Sequence, residues 1–265
     1  AGKADLIRAA ALLALWALPA AAQGDVPQRV ITEGPGPVVE DYTDWPIRAE
    51  LAQPTTRYDH DVLGGLPRWG ELSIVALACS ACRNGFTGSA VRLPDEMVFE
   101  DVAPRLWEVD GEGPPEVVVV ESHRDHGSRL AVWAWRDGLV RIAAGDWIGQ
   151  PQRWLAPVAH GDFDGDGRIE LAWIDRPHVL GDLVFARLDG EKLTEFARLP
   201  GLTNHRIGDR VILSGSRDCG QGPELLLASK DWRDLMAVRL TADGPVVRPL
   251  GAWSEPALAA ALGCR

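Results

Sequence analysis

The stretch HGDFDGDGRIELAW, from His160 to Trp173, sets aspartates at Asp162, Asp164 and Asp166, a glutamate at Glu170, and an apolar run directly after it. Gly165 and Gly167 stand between and after the acids. Glycine lets a backbone turn tightly enough for alternate carboxylates to converge. Carboxylates crowded in this way repel unless protons or a cation offset them. Calcium takes six to eight oxygens in loosely fixed geometry. The side chains of Asp162, Asp164 and Asp166, the carbonyl of Arg168, and Glu170 would supply most of such a shell. An EF-hand opens similarly, but its twelfth position must be acidic, and here that place is Trp173.

The same pattern recurs at intervals of about 54 residues. In WEVDGEGPPEVVVV, Glu108, Asp110, Glu112 and Glu116 match the four acids. In SRDCGQGPELLLAS, Ser216, Asp218, Gly220 and Glu224 take those places. Each loop runs into apolar residues: Val117–Val120, Leu171–Ile174 and Leu225–Ala228. A second marker repeats with it. RLAVWAWRDG, GDLVFARLDG and LMAVRLTADG end in Asp137-Gly138, Asp189-Gly190 and Asp243-Gly244, and Asp-Gly after alternating residues signals a hairpin. A less regular unit, RYDHDVLGGLPRWGELSIVAL (Arg57–Leu77), carries Asp59, Asp61 and Glu71, and FEDVAPRL (Phe99–Leu106) ends it.

These units, approximately 57–104, 105–157, 158–208 and 209–250, predict an all-β chain with about four short strands per repeat. Repeats of this length fit a β-propeller of roughly four to five blades. Residues 23–56 would supply a ring-closing strand or part of a blade. Closure removes sheet edges, so N-terminal residues are expected to pair near the last unit. Helical character is confined to EPALAAALG, predicting a short helix over 255–262.

The nine-residue acidic loop entering a strand resembles the FG-GAP or VCBS repeats of integrin-alpha-type β-propellers. The resemblance is strongest over 158–208, followed by 105–157 and 209–250. RYDHDVLG and LTNHRIGDR also resemble exported bacterial proteins of that group. The resemblance implies blade-shaped repeats and a calcium ion bound by Asp162, Asp164, Asp166 and Glu170. The Glu108–Glu116 loop is a second candidate, with three glutamates and a stiff Pro114-Pro115 pair. The Ser216–Glu224 loop has no acid at Gly220 and reads as a structural turn.

The whole chain sets the remaining bounds. Its 265 residues carry 27 Lys+Arg against 38 Asp+Glu, a formal net charge of −11. Such a surface disfavours polyanions, arguing against nucleic acid and anionic membranes. Lys3 and Arg8, the apolar run Ala9–Leu18, Pro19 and Ala20–Ala22 form an export signal, with cleavage expected after Ala22 and no membrane insertion thereafter. The expected location is the periplasm or the exterior. There Cys79, Cys82, Cys219 and Cys264 favour disulfides, and Cys219–Cys264 is the expected tether of the tail. Cys79 and Cys82 have redox spacing without the helix that such chemistry uses, so they would pair with each other or stay reduced. His123 and His126 suit an exposed hairpin loop, and His160 and His205 suit polar bridges at unit junctions. The tryptophans read chiefly as core. No nucleophile elbow or phosphate loop occurs. The sequence therefore favours a calcium-binding interaction module for protein or glycan. A propeller-fold hydrolase or lyase and a structural envelope protein are the alternatives.

Overall fold

The computed structural model describes residues 38–41, 47–77, 86–136 and 138–265. The expected export signal, Cys79, Cys82 and Asp137 lie outside the described residues. Among the described residues the chain is all-β apart from one short helix.

The strands form four antiparallel groups in chain order. The first holds β1 (Val38–Asp41), β2 (Ile47–Thr55), β3 (Arg68–Leu77) and β4 (Phe86–Arg92). The second holds β5 (Met97–Phe99), β6 (Arg105–Trp107), β7 (Glu116–His123), β8 (Gly127–Trp135) and β9 (Leu139–Ala144), with both short strands pairing β7. The third is β10 (Leu155–Gly161), β11 (Glu170–Asp175), β12 (Asp182–Asp189) and β13 (Lys192–Pro200). The fourth is β14 (Leu202–Thr203), β15 (Gly215–Asp218), β16 (Pro223–Ser229), β17 (Asp234–Thr241) and β18 (Gly244–Ala252). Helix α1 (Glu255–Leu262) follows, with Ser254 Oγ accepting from the Ala257 N–H at 3.1 Å as its N-cap.

Single residue pairs join the first three groups into one sheet: Trp69 with Phe99, and Lys192 with Ala144. That sheet does not close on itself, and the fourth group is separate. The expected pairing of N-terminal residues with the last unit is not found among the described residues; β1 pairs with β2. The outer face of the fourth group is covered by α1, with Leu226, Leu235 and Ala237 packing against Leu258 and Ala261.

Side-chain alternation explains why the central strands read as unbroken apolar runs. In β7, Val117 and Val119 join a core with Ile47, Leu51, Leu72 and Ile74 of the first group. Val118 and Val120 point the other way, into a core with Leu171, Trp173 and Val184 of the third. In β11, Ala172 and Ile174 meet Leu225 and Leu227 of the fourth. A strand buried on both faces loses its polar alternation. β3, at the end of the stack, keeps it: Leu72 and Ile74 are buried, while Val75 is exposed.

The hairpins sit slightly off the expected dipeptides. Asp189 pairs with Lys192, so Gly190 and Glu191 make the turn, and Thr241 pairs with Gly244, so Ala242 and Asp243 do. The first and last groups also touch through loops. The Gly208 N–H donates to the Val62 carbonyl at 3.0 Å, and Arg210 Nε donates to the Gly64 carbonyl at 2.8 Å. Gly64 has φ +60°, and a Cβ there would meet the Gly208 carbonyl, so glycine is needed for this approach.

Candidate cation loops and the buried polar centre

The loop between β10 and β11 is built by its own acids. Asp162 accepts from the Gly165 N–H at 2.7 Å and the Gly167 N–H at 2.9 Å. Asp164 accepts from the Asp166 N–H at 3.2 Å, and Asp166 from the Arg168 N–H at 2.9 Å. Gly165 and Gly167 take φ of +79° and +84° in open space, so backbone conformation rather than crowding selects glycine. The structure brings one carboxylate oxygen each of Asp162, Asp164 and Asp166 within 4.8 Å of one another.

Glu170 is engaged differently. It is fully buried, and its Oε2 accepts from the Phe163 N–H at 2.8 Å. Its Oε1 accepts from Arg187 Nε at 2.7 Å, because β12 sets Arg187 directly opposite Glu170. The same guanidinium reaches Asp164 at 2.7 Å and Asp166 at 3.0 Å. Burial pushes the Glu170 carboxyl up, opposed by the Phe163 N–H and by Arg187. Arg187, which the sequence reading overlooked, thus acts as a tethered cation among three of the four acids. The register between β11 and β12 was the signal that would have found it.

The Glu108–Glu116 loop repeats this geometry. Gly111 N–H donates to Glu108 Oε1 at 2.8 Å, Glu112 N–H to Asp110 Oδ1 at 2.9 Å, and Val109 N–H to Glu116 Oε2 at 2.9 Å. Oxygens of Glu108, Asp110 and Glu116 lie within 4.8 Å of one another. Among the described residues no arginine answers Glu116. Val117 pairs with Trp133, as Leu171 pairs with Ala186, so the position equivalent to Arg187 is Ala134. Arg136 binds Asp110 instead. Glu116 Oε1 is left buried without a hydrogen-bond partner. Burial, with Asp110 and Glu108 adding repulsion, pushes the Glu116 carboxyl up to about 7 against the pull of the Val109 N–H. This donor set fits a cation: three converging carboxylates, one with an orphaned oxygen.

In the Ser216–Glu224 loop the turn survives with two of the four acids, as Asp218 accepts from the Gly220 and Gly222 N–H groups at 2.8 and 3.1 Å. Glu224 meets three arginines, Arg217, Arg239 and Arg248, at 3.0, 3.0 and 2.8 Å. Burial raises its carboxyl, but hydrogen bonds from Arg248 and Arg217 prevail and hold it below the usual range. The Cys219–Cys264 disulfide is present and ties the tail to this loop.

A second assembly of polar groups lies where all four groups meet. His60 Nδ1 lies 2.9 Å from Glu100 Oε1, and Ser122 Oγ donates to Glu100 Oε2 at 2.7 Å. Trp154 Nε1 donates to the Glu100 carbonyl at 2.8 Å. Beside Trp154, His178 Nε2 and His205 Nδ1 are 2.8 Å apart. His205 Nε2 must donate to the Asp209 carbonyl at 3.0 Å, since a carbonyl only accepts. His205 Nδ1 therefore accepts from His178. Both imidazoles are held neutral: burial, then His205 and His60, lower His178 to about 4, and burial lowers His205. His205 is the bridge expected from the sequence; His178 and Glu100 escape that reading because they sit in a loop and at a strand end without a repeating pattern.

The other histidines are structural. His160 stacks on Trp107 at 5.1 Å, and burial lowers it to about 4. His123 and His126 stack at 4.5 Å at the turn between β7 and β8, beside Trp147, with no third ligand among the described residues. Trp69, Trp107, Trp133, Trp154 and Trp173 are core. No helix of the described residues is long and apolar enough to cross a membrane. No protein-family model matches the chain, and no curated protein does.

Proposed function

We propose that the chain is a calcium-binding β-propeller of the FG-GAP/VCBS type, exported to the periplasm or beyond, that serves as an interaction module for protein or glycan. The observation that carries this reading is the repeated loop: two acidic loops with one hydrogen-bonding plan, each converging three carboxylates. Calcium would be held by Asp162, Asp164, Asp166, the Arg168 carbonyl and Glu170 in one loop, and by Glu108, Asp110 and Glu116 in the other. It would supply charge neutralisation and hold the loop shape. In the first loop the ion must compete with Arg187.

Four consecutive antiparallel groups, packed face to face through three successive cores, support the propeller. So do the loop contacts between the first and last groups. The interaction face is the end opposite the ion loops. The turn 176–181 leaves β11 at that end, and the His178–His205 bond brings it against the loop carrying Ile207. Val179, Ile207 and Val211 are all exposed there. The Glu100, His178 and His205 assembly favours the hydrolase or lyase reading only in composition. Its groups are mutually satisfied and largely buried, which suits a tie between sheets.

Calorimetric titration of the chelator-treated protein with calcium tests this reading. Saturable binding is expected, weakened by Asp164→Ala and by Glu116→Gln. Absence of calcium binding by the folded wild type would sink it.

A further inference from the structure

We propose that the cleft beside the Cys219–Cys264 disulfide is a binding site for a small phosphate-type oxyanion, held by Arg217, Arg239, Arg248 and Arg265. These residues line a cavity of about 310 Å3 together with Gln221 and Glu224. Four guanidinium groups face one side-chain carboxylate in a chain whose net charge is −11. A cleft focuses such a concentration of like charge.

Glu224 cannot satisfy these donors. Its Oε1 accepts from Arg239 at 3.0 Å and Arg248 at 2.8 Å. Its Oε2 accepts from Arg217 at 3.0 Å and Arg248 at 3.0 Å. A carboxylate offers about four acceptor sites, so its capacity is spent. Arg239 Nε remains buried with no acceptor. Arg265 makes no ion pair among the described residues, and the disulfide fixes its neighbour Cys264 at the rim. Planar guanidinium forks match phosphate and carboxylate oxygens in pairs, and phosphate brings enough oxygens to engage several forks together. The ion loop of this repeat has thus kept its turn and exchanged the chemistry of its neighbourhood. Ser216 and Gly220 replace the first and third acids, and arginines on β15, β17 and β18 replace the cation.

The test titrates the full chain with inorganic phosphate, and separately with a sugar phosphate, at ionic strength matched with chloride. Saturable binding beyond chloride is expected for the wild type. Arg239→Gln and Arg248→Gln should each weaken it about tenfold, the loss of one charge-assisted hydrogen bond. Either variant leaves Glu224 two guanidinium partners. Arg265→Ala, outside the sheet, provides a third variant that cannot disturb strand pairing. Arg233→Gln, on an exposed turn, should bind as the wild type does. Tighter binding of the sugar phosphate would assign a phosphoester ligand, and tighter binding of inorganic phosphate the free ion. No saturable binding beyond chloride, or unchanged affinity in all three cleft variants, would overturn the proposal.

Discussion

Glu116, Glu170 and Glu224 hold the same place in three loops, and each buried carboxylate meets a different fate. Glu224 has three arginines, Glu170 has one shared with two aspartates, and Glu116 has only backbone N–H groups. A buried charge without a partner is costly, so the difference lies in what crosses from the neighbouring strand. The acid spacing was legible in the sequence, because the loop is local and its glycines and aspartates are contiguous. The partners were not, because Arg187, Ala134 and Arg239 are set by strand register. Arg187→Met should therefore act in two opposite ways. Without an ion it should destabilise by about 2–3 kcal/mol, because Glu170 keeps only the Phe163 N–H. In calcium, affinity at the Asp162 loop should rise, because the competing guanidinium is gone. Paired denaturant melts and calcium titrations of the variant check both signs; a variant with unchanged calcium affinity would show that Arg187 does not compete.

At the scale of elements, strands were readable where one face meets solvent or where a run is buried on both sides. The four valines of β7 announced a strand by their continuity, and their division between two cores explains it. Helix α1 was readable from the alanine-rich EPALAAALG run, and it lies at Glu255–Leu262 as expected. What the pattern could not give was its role as the cover of the fourth group. That role makes the Cys219–Cys264 disulfide an element-level clamp. Its residues are 45 apart in sequence, and closing a loop of that size stabilises by about 4 kcal/mol in the chain-entropy model. Cys264→Ser should lower stability by a comparable or smaller amount and speed hydrogen exchange in α1 before the first three groups. Uniform loss of protection across all four would contradict this local clamp.

Across the whole molecule, the four groups share one buried polar centre, which periodicity could not reveal because its contributors come from separate loops and from strand β7. His178 is neutral there, well below its ordinary value. A histidine lowered on folding contributes stability that is present above its unfolded pKa, near 6.5. That contribution is lost as pH falls toward about 4. His178→Asn should therefore flatten the decline in stability between pH 6.5 and 4.5 by about 1–2 kcal/mol, allowing for solvent screening. Urea melts at both pH values check it, and an identical decline in both proteins would contradict it. The proposed binding of calcium by the repeated acidic loops, and its support of the assembly, is tested most directly by a thermal melt in chelator and in millimolar calcium. If calcium stands a hundredfold above Kd, linkage adds about 2.7 kcal/mol, or roughly 5–10 °C for a chain of this size. That rise is expected for the wild type, a smaller one for Asp164→Ala, and none for Asp164→Ala combined with Glu116→Gln. Equal melting of the wild type in both conditions, or a full rise in the double variant, would contradict it.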